Sequence, residues 1–134
     1  MSDSASQTFL IIGAGQAGGE CAVELRKQGF VGHVIIIGEE SHIPYKRPPL
    51  SKAYFAGSVK LESLYVLPRA SLDKIKIEFI GGTRVERIDR ATKQVALSDG
   101  RRLAYDKLAL ATGGRARPLN LPGASRPNVS LLRT

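Results

Sequence analysis

Thr8-Phe9-Leu10-Ile11-Ile12-Gly13-Ala14-Gly15-Gln16-Ala17-Gly18 is the stretch on which the architecture turns. Its first five residues are a β-branched, aromatic and aliphatic run that ends at a glycine, the pattern of a buried parallel strand. From Gln16 to Gln28 the periodicity changes. Ala17, Cys21, Ala22 and Leu25 recur at helical spacing, Glu20, Glu24, Arg26 and Lys27 fall elsewhere, and Gly29 provides the stop. His33 to Ile37 is a second apolar run ending at Gly38. Together these segments predict a strand, helix, strand unit, whose crossover is right-handed.

The glycines lie at the strand-to-helix junction, where each has a physical task. Gly13 permits the tight turn, Gly15 lets backbone approach a pyrophosphate, and Gly18 lets helix and strand pack closely, with Ala22 as a second small residue. An anion placed there meets free N–H groups and the favourable end of the helix dipole. A GxGxxG alone is weak, because glycine-rich turns are common. Glu39 completes it: this acid follows the second strand by two residues and lies 21 positions after Gly18, where a carboxylate accepts both hydroxyls of an adenosine ribose and repels a 2′-phosphate. Its neighbour Glu40 reads as a solvated loop carboxylate. At this point the dinucleotide is NAD or FAD.

Working outward, Glu39 to Leu50 is polar and carries Pro44, Pro48 and Pro49, a loop stiffened by fixed φ angles. A short helix is expected from Ser51, as N-cap, to near Gly57, and another over Arg69 to Lys74. Ile75, Ile77, Phe79 and Ile80 predict a third parallel strand before Gly81-Gly82. Val85 and Ile88 then precede a turn at Asp89 to Thr92, Val95 and Leu97 alternate with polar or small residues, and Asp99-Gly100 signals a hairpin. Tyr105 and Asp106 lead into Leu108-Ala109-Leu110-Ala111, a return to the buried parallel sheet. Pro118, Pro122-Gly123 and Pro127 mark an exposed connection. The fold class is therefore α/β, a Rossmann-like parallel βαβ sheet with an inserted antiparallel β-meander.

Composition narrows the function. The 134 residues are 43% hydrophobic and 24% charged, a globular composition sufficient for one domain. Twenty Lys and Arg against twelve Asp and Glu give a net charge of +8, which favours acidic proteins or phosphates as partners. The basic residues are scattered, without a long run or aromatic interleaving, so a nucleic-acid surface is not expected. No apolar run approaches the length of a membrane span, and residues 1–7 lack the order of a signal peptide and read as disordered. The single Cys21 excludes an internal disulfide and a CxxxxC or CxxC redox pair, and reads as a buried small hydrophobe in a cytoplasmic protein. His33 and His42 have no companions for a metal site, and no nucleophile motif is present.

A second group of motifs distinguishes the cofactors. Pro44-Tyr45-Lys46-Arg47-Pro48-Pro49-Leu50-Ser51-Lys52 with Ala53-Tyr54-Phe55-Ala56-Gly57, then Arg84-Val85, Leu97-Ser98-Asp99-Gly100, Leu103-Ala104-Tyr105-Asp106, Leu110-Ala111-Thr112-Gly113-Gly114 and Leu132-Arg133-Thr134 resemble, in this order, the ferredoxin reductase family of FAD- and NADH-dependent flavoproteins. The resemblance runs from about Phe9 to Thr134. It implies that FAD is the cofactor of the first βαβ unit, with NADH as co-substrate. Gly13, Gly15, Ala17 and Gly18 would hold the pyrophosphate, Glu39 the ribose, and Arg47 phosphate or ribose oxygens. Lys52 would lie beside the flavin ring near N5, as the one residue at the reacting centre. The backbone of Val85 would contact adenine, Ala111, Thr112 and Gly113 would bring backbone close, and Arg133 matches an arginine that touches FAD. Arg115, Arg117 and Arg126 read as surface charges.

Members of that family are several hundred residues long and carry a second GxGxxG for NADH, which this sequence lacks. The expectation is an N-terminal portion of a longer protein: residues 8–114 from the FAD-binding domain, and 115–134 from a connection toward an NAD-binding domain. Such a portion binds FAD weakly or not at all and does not turn over. The parent would pass electrons to a ferredoxin or rubredoxin that feeds an oxygenase. The alternatives are a stand-alone dinucleotide-binding module without catalysis, or part of a related flavoprotein such as a nitrite reductase component or an apoptosis-inducing-factor-like protein; a disulfide reductase is disfavoured because no CxxxxC or CxxC pair follows the glycine loop.

Overall fold

The computed structural model describes residues 6–131 and 133. The expected disorder of residues 1–5, and the motif positions Leu132 and Thr134, lie outside the described residues. Gln7 is already held, since its carbonyl accepts a 2.8 Å hydrogen bond from the amide of His33.

Among the described residues, seven strands and two α-helices follow in the order β1 (Thr8–Ile12), α1 (Gln16–Lys27), β2 (His33–Ile37), α2 (Arg69–Lys74), β3 (Ile77–Ile80), β4 (Val85–Asp89), β5 (Gln94–Leu97), β6 (Arg102–Ala104) and β7 (Lys107–Leu110). β3, β2, β1 and β7 form, in that spatial order, a parallel sheet, and β4, β5 and β6 an antiparallel one. The first βαβ unit agrees with its sequence reading to within a residue at each end.

Alternation along the strands explains the layering. Leu10, Ile12, Ile35, Ile37 and Ile80 point from the parallel sheet into one core, where they meet Val95 and Leu97 of the meander. Ile11, Val34, Ile36 and Ile77 point the other way, against Ala22 of α1 and Leu72 of α2. The central strands are apolar on both faces because each face is covered. Burying side chains such as Leu10, Ile11 and Ile36 stabilises the layers by about 1.5–3 kcal/mol each.

Three expectations change. Pro48–Ser51 is a 3-10 turn, so Ser51 ends the element it was expected to start, and residues 52–57 are a run of turns. The prolines dictate this, for Pro at the first positions supplies the helical φ and lacks an N–H that would go unpaired. Ile75 caps α2 and does not belong to β3, with Lys76 at φ 56 making the corner between them. β7 returns to the parallel sheet, but as its outer strand, paired only with β1 among the described residues, and Leu110 is 65% exposed.

A further 3-10 turn, Leu61–Leu64, was not foreseen. It anchors the proline loop: the amide of Lys46 donates to the carbonyl of Leu64 at 2.8 Å, and the amide of Val66 to that of Pro44 at 2.9 Å. The loop is therefore cross-braced as well as stiffened.

Candidate functional site

All four parallel strands end in register, at Ile12, Ile37, Ile80 and Leu110. The chain moves from β1 outward to β2 and β3, then returns to the far side of β1 as β7. The crossovers thus diverge at the carboxyl end of β1. In an open α/β sheet that divergence leaves a crevice, and ligands bind there.

The glycine turn occupies this crevice. Gly13 has φ +113, and a Cβ on it would overlap the carbonyl oxygen of Ala111. A Cβ on Gly18 would overlap the carbonyl oxygen of Gly13, so the helix starts pressed against its own entry turn. Gly15 differs, because a Cβ there would meet nothing within 4 Å. That open space faces the start of α1, where Gly15 is the N-cap, no side chain caps the first amides and the first turn carries no acid. A helix N-terminus without a side-chain cap, with room beside its N-cap, is the arrangement a phosphate needs. Ala17, in the first turn, is exposed, whereas Gly18 and Ala22 are buried.

Beside the turn, the amide of Ala111 donates to the carbonyl of Ile12 at 2.7 Å, which places Ala111, Thr112 and Gly113 at the mouth of the same crevice. Gly113 has φ +65, and the Arg133 guanidinium lies 3.0 Å from where its Cβ would be. Arg133 Nε donates to the carbonyl of Gly114 at 3.0 Å. Arg47 Nη1 in turn donates to the carbonyl of Arg133 at 3.2 Å. Two arginines from distant parts of the chain are thus gathered beside the Ala-Thr-Gly segment.

Glu39 stands on the other side, after β2, and is well exposed. The amide of Thr83 donates to the carbonyl of Gly38 at 2.9 Å, and this joint brings Arg84 to Glu39, with Nη2 to Oε1 at 3.0 Å. Val85 follows directly, half-buried against the meander core. Glu39 and Val85 therefore share one end of the crevice, and Arg84 is a cation there that the sequence reading did not assign to the site. Lys52 is not drawn in. It is exposed on the turn after the prolines, and its ammonium pairs with no described residue.

Glu40 corrects its sequence reading. Instead of lying in solvent, it forms an ion pair with Arg47, and Tyr45 Oη donates to its second oxygen at 2.7 Å. Partial burial pushes the Glu40 carboxyl up, but the hydrogen bonds from Arg47 and Tyr45 and the positive charges of Arg47 and His42 together outweigh it, and it lies below the ordinary carboxylate value. Burial and the bond to Glu40 push the Tyr45 phenol up. Tyr45 is buried, and the only earlier sign of its role was its place two residues before Arg47. Gly19 was missed too: a Cβ there would press into Pro44 and Val66, so α1 and the proline loop pack backbone to ring.

The donor set fits a dinucleotide. An open helix N-terminus with two nearby arginines suits a diphosphate, and an acid at the end of the adjacent strand suits a ribose.

Comparison with known proteins agrees with this geometry. Residues 7–134 match the family described as pyridine nucleotide-disulphide oxidoreductase. Rhodocoxin reductase of Rhodococcus erythropolis is 47% identical over 127 residues, which are 95% of this chain and 30% of that protein. Among solved structures, a ferredoxin reductase from Rhodopseudomonas palustris superposes with a TM-score of 0.88 at 43% identity, covering 96% of this chain and 32% of that one. The reductase in a covalent putidaredoxin reductase–putidaredoxin complex superposes with a TM-score of 0.84 at 48% identity, covering 90% and 28%. The chain thus spans about 30% of the length of the curated relatives it matches. The chain belongs to the pyridine nucleotide-disulphide oxidoreductase family.

Proposed function

We propose that this chain is the N-terminal FAD-binding part of an NADH-dependent flavoprotein oxidoreductase that reduces a ferredoxin or rubredoxin supplying an oxygenase. The observation that carries this reading is the open space at Gly15 before the uncapped start of α1, flanked by Ala111 to Gly113 and the two arginines. Gly13, Gly15, Ala17 and Gly18 hold the diphosphate, whose charge Arg47 and Arg133 offset. Glu39 accepts the ribose hydroxyls, and the backbone of Val85 borders the adenine. Lys52, exposed on the turn after the prolines, is assigned to the flavin ring by the family resemblance and would reach it from that turn. The chemistry FAD supplies when bound is acceptance of two electrons as hydride and their release one at a time.

The partner class follows from the relatives' names, which include rhodocoxin reductase and a reductase joined to putidaredoxin, and from the charge of +8, which suits an acidic electron carrier. An NADH:rubredoxin oxidoreductase is also among the structural relatives. Residues 8–114 belong to the FAD domain and 115–134 to the connection that follows it. A cytoplasmic location agrees with the single thiol. Among the described residues no helix is long and apolar enough to cross a membrane.

The test is expression of the gene with whatever coding sequence follows the codon for Thr134. A visible flavin absorption band and NADH-driven reduction of a ferredoxin are expected. A longer protein without a flavin band would overturn the reading.

A further inference from the structure

We infer that Glu40, together with Tyr45, is a positioning residue of the dinucleotide site, which holds the Arg47 guanidinium at the diphosphate without itself touching the ligand. The inference rests on the reading above that Arg47 faces the diphosphate.

The geometry is a closed triangle on one loop. Arg47 Nη2 donates to Glu40 Oε1, Arg47 Nη1 donates to Tyr45 Oη at 2.8 Å, and Tyr45 Oη donates to Glu40 Oε2 at 2.7 Å. The guanidinium also lies 5.0 Å from the centre of the Tyr45 ring. Both ends of the carboxylate are used, and the phenol serves as donor to one partner and acceptor from the other. An arginine has many rotamers, and fixing it on ligand binding costs conformational entropy. Here that cost is met on folding.

The triangle has firm supports. Gly38, Glu39 and Glu40 leave the end of β2, and the carbonyl of Glu40 accepts a 3.0 Å hydrogen bond from the amide of Gly82. Tyr45 is buried between its neighbours, and it pairs across the loop with Tyr65. The Glu40 and Arg47 side chains keep 31% and 22% exposure, so the arginine can be reached from solvent. Nη1 of Arg47 reaches the Arg133 carbonyl, which directs the guanidinium toward the segment beside Gly113. Glu40 balances the charge of Arg47, and Arg133, whose Nε donates to the Gly114 carbonyl, carries a second positive charge. One net positive charge therefore remains for an anion.

A positioning role and a plain folding role make different demands on ligand chemistry. ADP and adenosine share every group except the diphosphate, so a displaced Arg47 affects ADP alone. We would titrate the chain and its Glu40→Gln, Glu40→Asp, Tyr45→Phe and Arg47→Ala variants with each ligand by NMR. E40Q is expected to weaken ADP about tenfold and adenosine less than about twofold, the tenfold being about 1.4 kcal/mol. E40D is expected to recover most of the ADP loss, and Y45F to show a smaller loss with the same ligand selectivity. Equal loss for both ligands, or no loss for ADP, overturns the inference. Should E40Q not fold, Y45F and E40D decide it by the same ligand selectivity. An R47A variant that binds ADP normally overturns the underlying reading of Arg47 instead.

Discussion

The amide of Ala111 donates a 2.7 Å hydrogen bond to the carbonyl of Ile12, and that bond seats the Ala111 carbonyl oxygen against Gly13. The glycine turn and the start of the Ala-Thr-Gly segment are thereby one construction, although most of the chain lies between them. Gly13→Ala adds a methyl where the Ala111 oxygen already sits, on a residue with φ +113. The expected loss is about 2 kcal/mol or more of folding stability, from backbone strain and overpacking together. Urea unfolding of the variant measures it.

Arg26 closes the opposite end of the sheet. Its guanidinium donates to the carbonyls of Phe30 at 2.6 Å, Gly32 at 2.8 Å, Ile75 at 2.8 Å and Lys76 at 2.6 Å. It therefore ties the exit of α1 to the corner at Lys76. Only a planar fork reaches so many acceptors. Arg26→Lys should lose about 2 kcal/mol or more in urea unfolding, with ADP affinity unchanged because the proposed diphosphate site is at the other end of β1.

Glu39 and Arg84 lie 3.0 Å apart, and under the proposed function they set the phosphate preference of the ribose end. With Glu39 present, ADP should bind better than its 2′-phosphorylated form. Glu39→Ala releases Arg84 to meet a 2′-phosphate, and the ratio of the two affinities should fall by about tenfold. Parallel titrations with both nucleotides give the ratio directly.

Glu40 makes one part of stability depend on acid. Its carboxyl has an ordinary value of 4.5 and is held below it in the folded chain. A depressed folded value means that the contribution is complete above the ordinary value and disappears as pH falls through the folded one. The stability gap between the wild type and E40Q should be constant at neutral pH, about 1 kcal/mol or less for so exposed a pair. It should shrink below about pH 4.5. Denaturant curves at stepped pH test the sign.

Burial pushes the Cys21 thiol up, and the residue packs at the edge of the α1 core. Its reaction with a disulfide reagent at pH 8 should be about tenfold slower than that of glutathione, and should reach the free rate in denaturant.

The elements read well from sequence were those whose pattern is local. β1, α1 and β2 announce themselves by period and by glycine stops, and Asp99-Gly100 marks its hairpin. The turn at Pro48 was misplaced because Ser51 offered a cap and the prolines, which already supply the helical φ, were read as loop. Leu110 was read as buried because its apolar run is the same on an outer strand as on an inner one; only pairing separates them. Gly13 to Gly18 and Glu39 fall at the carboxyl end of the parallel sheet, where their spacing in the sequence put them. The partners of Glu40 were not legible, since a carboxylate in a polar loop looks solvated until Tyr45 and Arg47 fold back onto it. Arg84 was missed for a similar reason: its approach to Glu39 depends on the Gly38 to Thr83 joint between distant loops.

The central claim is that a diphosphate sits on the turn between β1 and α1. Titration of the 15N-labelled chain with ADP tests it most directly, because weak binding still moves amide resonances. The shifts should concentrate at Gly13, Gly15, Ala17 and Gly18, with smaller ones at Glu39, Arg47 and Ala111 to Gly113. Shifts confined to the opposite end of the sheet, around Arg26, Val31 and Lys76, or none at millimolar ADP, would contradict it.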